Sequence, residues 1–367
     1  MTVAATIRTM GMAGTLTIGI DAGIRGDYVP SLDSDYPRYL ATKRTVDDRA
    51  VNERVLRRLA TELSGRDRLR VLNLGAGIGG AIERLIERDV FPADAEISCA
   101  LVDVREANVR AARERLPEWA RSQGYTVSEL ADDPDPDSAF DLDSDSDPGS
   151  DGDGRDGERD GGSPRIRIET ETRGIDLRIL VADAFSVIEE GEWDLLVGQA
   201  FLDLFDLDEA LPALLTALAP GGYCYFPITF DGGTVFEPAI EAVPRDRLER
   251  AFHDHIDRNG GDPYAGRHLL TRLPRENAEV VAAGSSDWVI HGRDGTYPAE
   301  EATFLGFIVD TVADSLAEDR ESDLASDALA DWRERRHEAI ETGELVYVAH
   351  QLDVLGRVPE TDGSASG

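Results

Sequence analysis

The chain has 367 residues and sets 73 Asp and Glu against 38 Lys and Arg, a formal net charge of −35, with Lys43 as its single lysine. An acidic surface repels nucleic acid in dilute buffer, but a salt-rich cytoplasm would account for the same composition, because at about 1 M salt the Debye length shrinks to about 3 Å and self-repulsion is screened. No apolar run approaches the ~20 residues that span a bilayer, and the first residues lack a basic start followed by an apolar block. Cys99 and Cys224 both fall in apolar strand-like runs and offer neither a disulfide framework nor zinc spacing, so a cytoplasmic protein with small buried thiols and no metal site is expected.

In chain order, residues 1–65 read as an extension with a loose start at 1–25. Tyr36 to Arg49 is a dense mixed-charge aromatic segment that either lies over a ligand cleft or connects in solvent. It leads into a helix over Ala50–Ala60, whose Val51, Val55, Leu56 and Leu59 share a core face. Arg70–Leu74 is an apolar strand that breaks into Gly75, Gly77 and Gly79, with Gly80 following, before Ala81–Arg88 takes up helical spacing. Glycines there let backbone pass close to a ligand, and the helix start presents unpaired N–H groups, so a nucleotide-like cofactor is the natural occupant.

The strand Ile97–Val104 brings Asp103 near its carboxyl end, where a carboxylate can accept hydrogen bonds from ribose hydroxyls. A helix over Glu106–Gln123 follows. Asp132–Gly162 holds 13 acidic residues against Arg155 and Arg159 and almost nothing apolar, so it cannot offset its ordering entropy and reads as a disordered insertion. Then come a strand over Ile175–Ala182 running into Asp183 and Ala184, a short acidic helix, a strand over Trp193–Val197, a helix over Leu207–Leu218, a turn at Pro220–Gly222 and a strand over Tyr223–Thr229. The last third shows strands over Ala278–Ile290 and Leu345–Leu355, with helices over Ala299–Leu316 and Leu324–Glu341 between them.

The glycine spacing alone suits either an S-adenosylmethionine site or a dinucleotide fingerprint. Five features in order separate them: the glycine loop, Asp103 ending the second strand, Asp183-Ala184 ending the third, Trp193-Asp194 opening the fourth, and Pro220-Gly221-Gly222 before the fifth. With these the chain resembles the class I S-adenosylmethionine-dependent methyltransferases over residues 66–130 and 165–356. One departure is Asn73, where the family often has an acid. The resemblance implies an α/β fold: a Rossmann-like seven-stranded, mostly parallel sheet with an antiparallel edge strand and helices on both faces. It further implies S-adenosyl-L-methionine as cofactor, with Gly75, Gly77 and Gly79 at its methionine part, Asp103 at the ribose, and Asp183 and Ala184 at the adenine edge. Asp183 would otherwise be a plain helix N-cap.

On this reading 66–356 forms one domain carrying the insertion at 132–162 and a helical insertion at 299–342, and 357–367 is a tail. The helical insertion starts on the ligand side of the sheet and would cover the acceptor, with Phe304, Phe307, Ile308 and Val309 on its apolar face. Methyl transfer asks the protein to align a nucleophile and sometimes to take a proton. Gln199 and Asp203, after the fourth strand, are the candidates, although Asp203 could cap the helix that follows. His291 and His350 are lesser candidate bases. The Asn/Asp-Pro-Pro-aromatic tetrapeptide of base-amine methylation is missing, so a small-molecule acceptor is expected, and nucleic acid is not. A polyamine-synthase-like transferase using Asp203 and Asp231, a non-catalytic cofactor-binding protein and an NAD(P)-dependent oxidoreductase remain as alternatives.

Overall fold

The structure of the protein, a computed structural model, describes residues 36–130, 165–188 and 193–360. The acidic stretch at 132–162 and the loose start at 1–25 lie outside the described residues, whereas the expected tail at 357–367 begins later than the sequence suggests: Arg357 still pairs in the last strand, and Val358 N donates to Gly222 O. Three helices open it, α1 (Tyr36–Thr42), α2 (Arg44–Ala50) and α3 (Glu53–Leu63), followed by β1 (Arg68–Leu74), α4 (Gly80–Glu87), β2 (Glu96–Asp103) and α5 (Glu106–Ser122). A hairpin of β3 (Thr126–Leu130) and β4 (Arg165–Glu169) precedes β5 (Gly174–Val181), α6 (Ala184–Val187), β6 (Trp193–Val197), α7 (Leu207–Thr216) and β7 (Leu218–Glu237). The chain continues through α8 (Arg245–Arg258), α9 (Ala265–Arg272), β8 (Glu279–Ser285) and β9 (Trp288–His291). It ends with α10 (Glu301–Glu318), α11 (Ser326–Glu341) and β10 (Val346–Arg357).

All ten strands join one sheet in the order β3-β4-β5-β2-β1-β6-β7-β10-β8, with β9 also paired to β10. The central five, β5-β2-β1-β6-β7, are parallel. Alternate residues therefore face opposite layers: Leu69 and Val71 pack with α3, α4, α5 and α10, while Leu72 and Leu74 pack with α6, α7 and α9. Cys99 and Cys224 fall in opposite layers as fully buried free thiols, and burial pushes both thiol pKa values up.

The expected seven strands are present and mostly parallel, with β10 antiparallel to both its neighbours, β7 and β8. Two differences enlarge the sheet. The β3–β4 hairpin, which flanks the acidic stretch, extends the β5 edge antiparallel, and the expected strand over 278–290 is divided at Ser286 and Asp287. The Pro-Gly-Gly turn is absorbed into β7: Trp193 pairs with Leu218 and Leu195 with Tyr223, so residues 219–222 loop out with Gly221 at φ 73°. The helix expected from Ala50 begins at Glu53 instead, because the Asn52 side chain accepts from the N–H groups of Arg54 and Val55 and restarts the helix there. Val51, Val55, Leu56 and Leu59 are buried, as their spacing predicts.

One buried carboxylate joins three of these elements. Asp353 of β10 is fully buried; its Oδ1 accepts from Ile228 N at 2.9 Å, and its Oδ2 accepts from Asn52 N at 2.9 Å and Tyr225 OH at 3.0 Å. It sits where the β7–β10 register shifts, opposite Ile228 at φ 55°. A β-branched residue in that region is a conformational outlier, held because its N–H is turned to Asp353 instead of the ladder. Asp353→Ala should leave these donors unpaired and cost about 2–4 kcal/mol. Urea unfolding at constant high salt checks it, and an unchanged midpoint would show that the bulge is held by packing alone.

Candidate functional site

A cavity of about 460 Å³ opens at the carboxyl ends of β1, β2, β5 and β6, where the strand order reverses between β1 and β6. Gly75, Gly77, Asp103, Asp183, Ala184, Gln199 and Asp203 all line it. Gly75 at φ 54° and Gly77 at φ 56° hold conformations that disfavour a side chain, and a Cβ on Gly77 would stand 2.8 Å from Leu40. Gly79 has another role: it is the N-cap residue of α4 at φ 88°, faces Leu116, and is not among the cavity-lining residues.

Asp103 is buried and already engaged. Its Oδ2 accepts from Gly77 N at 2.8 Å, and its Oδ1 accepts from Arg105 N at 2.9 Å and Asn108 Nδ2 at 3.1 Å. A carboxylate offers about four lone-pair positions, so three protein donors leave room for about one ligand hydroxyl. The side chain thus fixes the glycine loop before it can meet a ligand. Asp183 accepts from Phe185 N at 2.8 Å as the N-cap of α6 and also lines the cavity. Next to it stands an aromatic wall in which Phe185 and Phe205 meet edge to face at 5.3 Å and Phe201 and Phe205 lie 4.9 Å apart. Asn73 lies beneath the loop, where its Nδ2 donates to Val197 O at 3.1 Å across the β1–β6 junction.

Asp203 does not cap α7; Asp206 does, accepting from Asp208 N. Asp203 stays in the cavity wall with a buried Oδ1 that has no hydrogen-bond partner among the described residues. Burial raises its pKa from 3.8 to about 6, against the lowering effects of a backbone N–H bond and the charge of Lys43, while Asp262 adds to the rise. Gln199 is occupied: its Nε2 donates to Asp47 Oδ2 at 2.8 Å and its Oε1 accepts from Arg84 Nη1 at 2.7 Å. It acts as a strut between α2 and α4. His291 is exposed at the end of β9, His350 pairs with Asp287 and Asp231, and neither lines the cavity. Asp231, the second carboxylate a polyamine substrate would need, is bound to Arg267 N at 2.7 Å and Nε at 2.8 Å and also lies outside the lining.

Two groups of residues close the cavity from above. The extension lies over the cleft: Tyr36, Tyr39, Leu40 and Lys43 line it, and the Arg105 guanidinium sits 4.6 Å from the Tyr36 ring centroid. Burial pushes the Tyr36 phenol up to about 12, opposed by Arg105. The helical insertion supplies Ile308, Thr311 and Val312 of α10. Phe307, expected on that wall, points elsewhere; it packs edge to face on Tyr39 at 5.8 Å, because it lies about 100° around the helix from Ile308. Phe252 and Ile256 of α8 and Trp288 of β9 complete the enclosure.

The sequence marked Lys43 and Asp47 only as part of the segment that either covers a cleft or connects in solvent, gave neither a role, and passed over Trp288. Lys43 is 7% exposed, its Nζ lies 3.4 Å from Asp47 Oδ2, and it sits 5.4 Å from the Trp288 ring centroid. Also unanticipated was His253 of α8, buried between Thr234 Oγ1 and Tyr264 OH at 3.4 Å each, with its pKa lowered by burial.

No family model matches this sequence, and no curated protein matches it. Among solved structures, an S-adenosylmethionine-dependent methyltransferase from Thiobacillus denitrificans in complex with S-adenosyl-L-homocysteine is similar at 15% identity and TM-score 0.39, over 87% of this chain and 97% of that one. YjhP of E. coli is similar at 11% identity and TM-score 0.40, over 88% and 99%. The cyclopropane synthase MmaA2 from Mycobacterium tuberculosis is similar at 12% identity and TM-score 0.36, over 82% and 83%. At these scores the functional reading rests on the cavity itself.

Asp47→Ala would strip Gln199, Trp288 and Lys43 of a shared partner and leave the ammonium buried without its carboxylate. We expect a loss of about 3 kcal/mol in stability and faster tryptic cleavage after Arg44 and Arg49. Equal cleavage rates in variant and parent would show that the extension is held by its apolar contacts instead.

Proposed function

We propose that the protein is a methyltransferase that uses S-adenosyl-L-methionine and acts on a small-molecule acceptor. The observation that carries this reading is that one cavity, at the strand-order reversal, is lined together by Gly75, Gly77, Asp103, Asp183, Ala184 and an orphaned Asp203. These residues fit the donor: bare backbone at the two glycines, one remaining acceptor position on Asp103, and an aromatic wall of Phe185, Phe201 and Phe205 in the same lining as Asp183 and Ala184. When bound, the donor supplies an electrophilic methyl group on a sulfonium, and the bonding electrons stay on sulfur as S-adenosylhomocysteine leaves. Asp203 takes the proton released by an O–H or N–H acceptor as the new bond forms. Ile308, Val312, Phe230 and Phe252 keep water from the reacting atoms.

On this reading 66–356 is the catalytic domain, the extension and residues 299–342 together cover the acceptor, and the charge of −35 suits a salt-rich cytoplasm. Among the described residues no helix is long and apolar enough to cross a membrane. The full engagement of Asp231 counts against a polyamine acceptor.

Calorimetry in molar KCl should give micromolar affinity for S-adenosylhomocysteine, roughly 8 kcal/mol, and much weaker binding of NAD. Tighter binding of NAD would overturn the assignment.

Asp203 makes a separate pH prediction. A base with a pKa of about 6 is ionised above that value, so turnover with labelled donor should fall about tenfold per pH unit below pH 6. Asp203→Asn should lower kcat by about 10²–10⁴ and abolish that acid limb. The stability effect runs the other way. Because the folded pKa lies above the usual carboxylate value, the native state binds the extra proton between about pH 4 and 6 and loses stability as pH rises through that window. Asp203→Asn should therefore melt higher than the parent above pH 6. Melting at or below the parent temperature there would sink the buried-base assignment.

A further inference from the structure

We propose that Lys43 holds a carboxylate of the methyl acceptor, so that the acceptor is an apolar monocarboxylic acid that also carries the hydroxyl or amine methylated beside Asp203. This rests on the methyltransferase reading above and deepens it. Lys43 is the only lysine in a chain whose other cationic side chains are all arginine, and it stands in the cavity wall. An ammonium there differs from a guanidinium: it is a compact charge with three rotatable donors and needs no planar partner.

The carboxylate it faces is shared with other donors. Among the described residues its one ion-pair partner is Asp47 at 3.4 Å, and that carboxylate already accepts from Gln199 Nε2 at 2.8 Å and Trp288 Nε1 at 3.0 Å. A buried ammonium is costly unless it is well paired, so a second anion reaching Lys43 from the cavity completes it. A monoanion suits this place better than a phosphate, because Asp103 and Asp203 line the same cavity and a dianion would meet about twice the repulsion. The lining beyond Lys43 is mostly apolar, with Ile228, Phe230, Ile308 and Val312 beside Thr234, Thr311 and Gln351, which fits a hydrocarbon or aromatic body with a few polar substituents. Lys43 and Asp203 line the same cavity, so one molecule can reach both groups.

Because the lysine is unique, cyanate carbamylation followed by tryptic mapping reads Lys43 alone, apart from the terminal amine. The probes are 4-hydroxyphenylacetate, indole-3-acetate and hexanoate, each against its primary amide, on the full chain in molar KCl with and without S-adenosylhomocysteine. At least one acid should slow carbamylation fivefold or more while its amide does not. Lys43→Met should lose the thermal shift caused by that acid yet keep its S-adenosylhomocysteine affinity, and Lys43→Arg should keep part of both. Equal protection by acid and amide, or protection by no acid, overturns the proposal. So does protection by S-adenosylhomocysteine but not by 5′-methylthioadenosine, which lacks the amino-acid tail, because Lys43 would then serve the donor's carboxylate. If S-adenosylhomocysteine fails to bind while an acid still protects, the methyltransferase reading fails and the carboxylate site stands.

Discussion

The Asp47 carboxylate joins parts of the chain that neither sheet hydrogen bonds nor apolar packing would bring together. It sits on α2, accepts from Gln199 after β6 and from Trp288 on β9, and faces Lys43 one turn earlier on its own segment. Each partner then reaches further: Gln199 to Arg84 on α4, Trp288 edge to face onto Phe304 of α10 at 5.2 Å, and Lys43 into the cavity. A neutral residue at 47 would leave three buried donors to find other partners in a place with little water. The roof of the cavity is tied in by this one group, and the α4 side and the α10 wall are referenced to the same point.

Around it α2 forms a strip of ion pairs. Arg44 reaches Glu83 and Glu87, Asp48 meets Arg84, and Arg49 meets Glu301. Exposed pairs of this kind contribute little and fade in salt. Those to Glu83 and Glu301 differ, since both carboxylates are about 1% exposed or less and would be uncompensated if their arginines were lost. Burial raises the Glu83 pKa, and the charges of Arg115 and Arg44 oppose that rise. In a chain with so large an acidic excess these arginines tie the extension to the sheet, and high salt leaves the buried members of the strip least affected.

Legibility followed physical contrast. The strand and glycine loop at 70–80, the acid at 103 and the strand at 193–197 were legible because apolar runs stop abruptly at glycine or aspartate. The β3–β4 hairpin was not, since Thr126–Leu130 is mostly exposed and polar and the acidic stretch separates it from its partner. Helix α8 was passed over because charged residues dominate it, and α9 because it is only eight residues long with Gly266 near its start, although Leu248, Phe252, Ile256 and Leu269 are among their buried apolar residues. At the site, residue type and position were readable but occupancy was not. No pattern reveals that Asp103 spends three of its acceptor positions on protein donors, that Gln199 is a strut, or that Ile308 faces inward where Phe307 does not.

The cavity combines a rigid side with an assembled one. Its floor is the ends of parallel strands plus Ile228, whose left-handed conformation is fixed by Asp353 from the neighbouring strand. Its roof is built from α1, α8 and α10, which meet through side chains: Tyr39 stacks on Phe304 at 5.7 Å, and Leu40 covers Gly77. A ligand at the glycine loop must therefore contend with Leu40 and Phe201, and any adjustment there is transmitted through α1 to Lys43 and α10. The glycine loop and the α10 wall are thus bridged by the more yielding part of the enclosure, because strands paired on both sides yield far less readily than a seven-residue helix held by side chains.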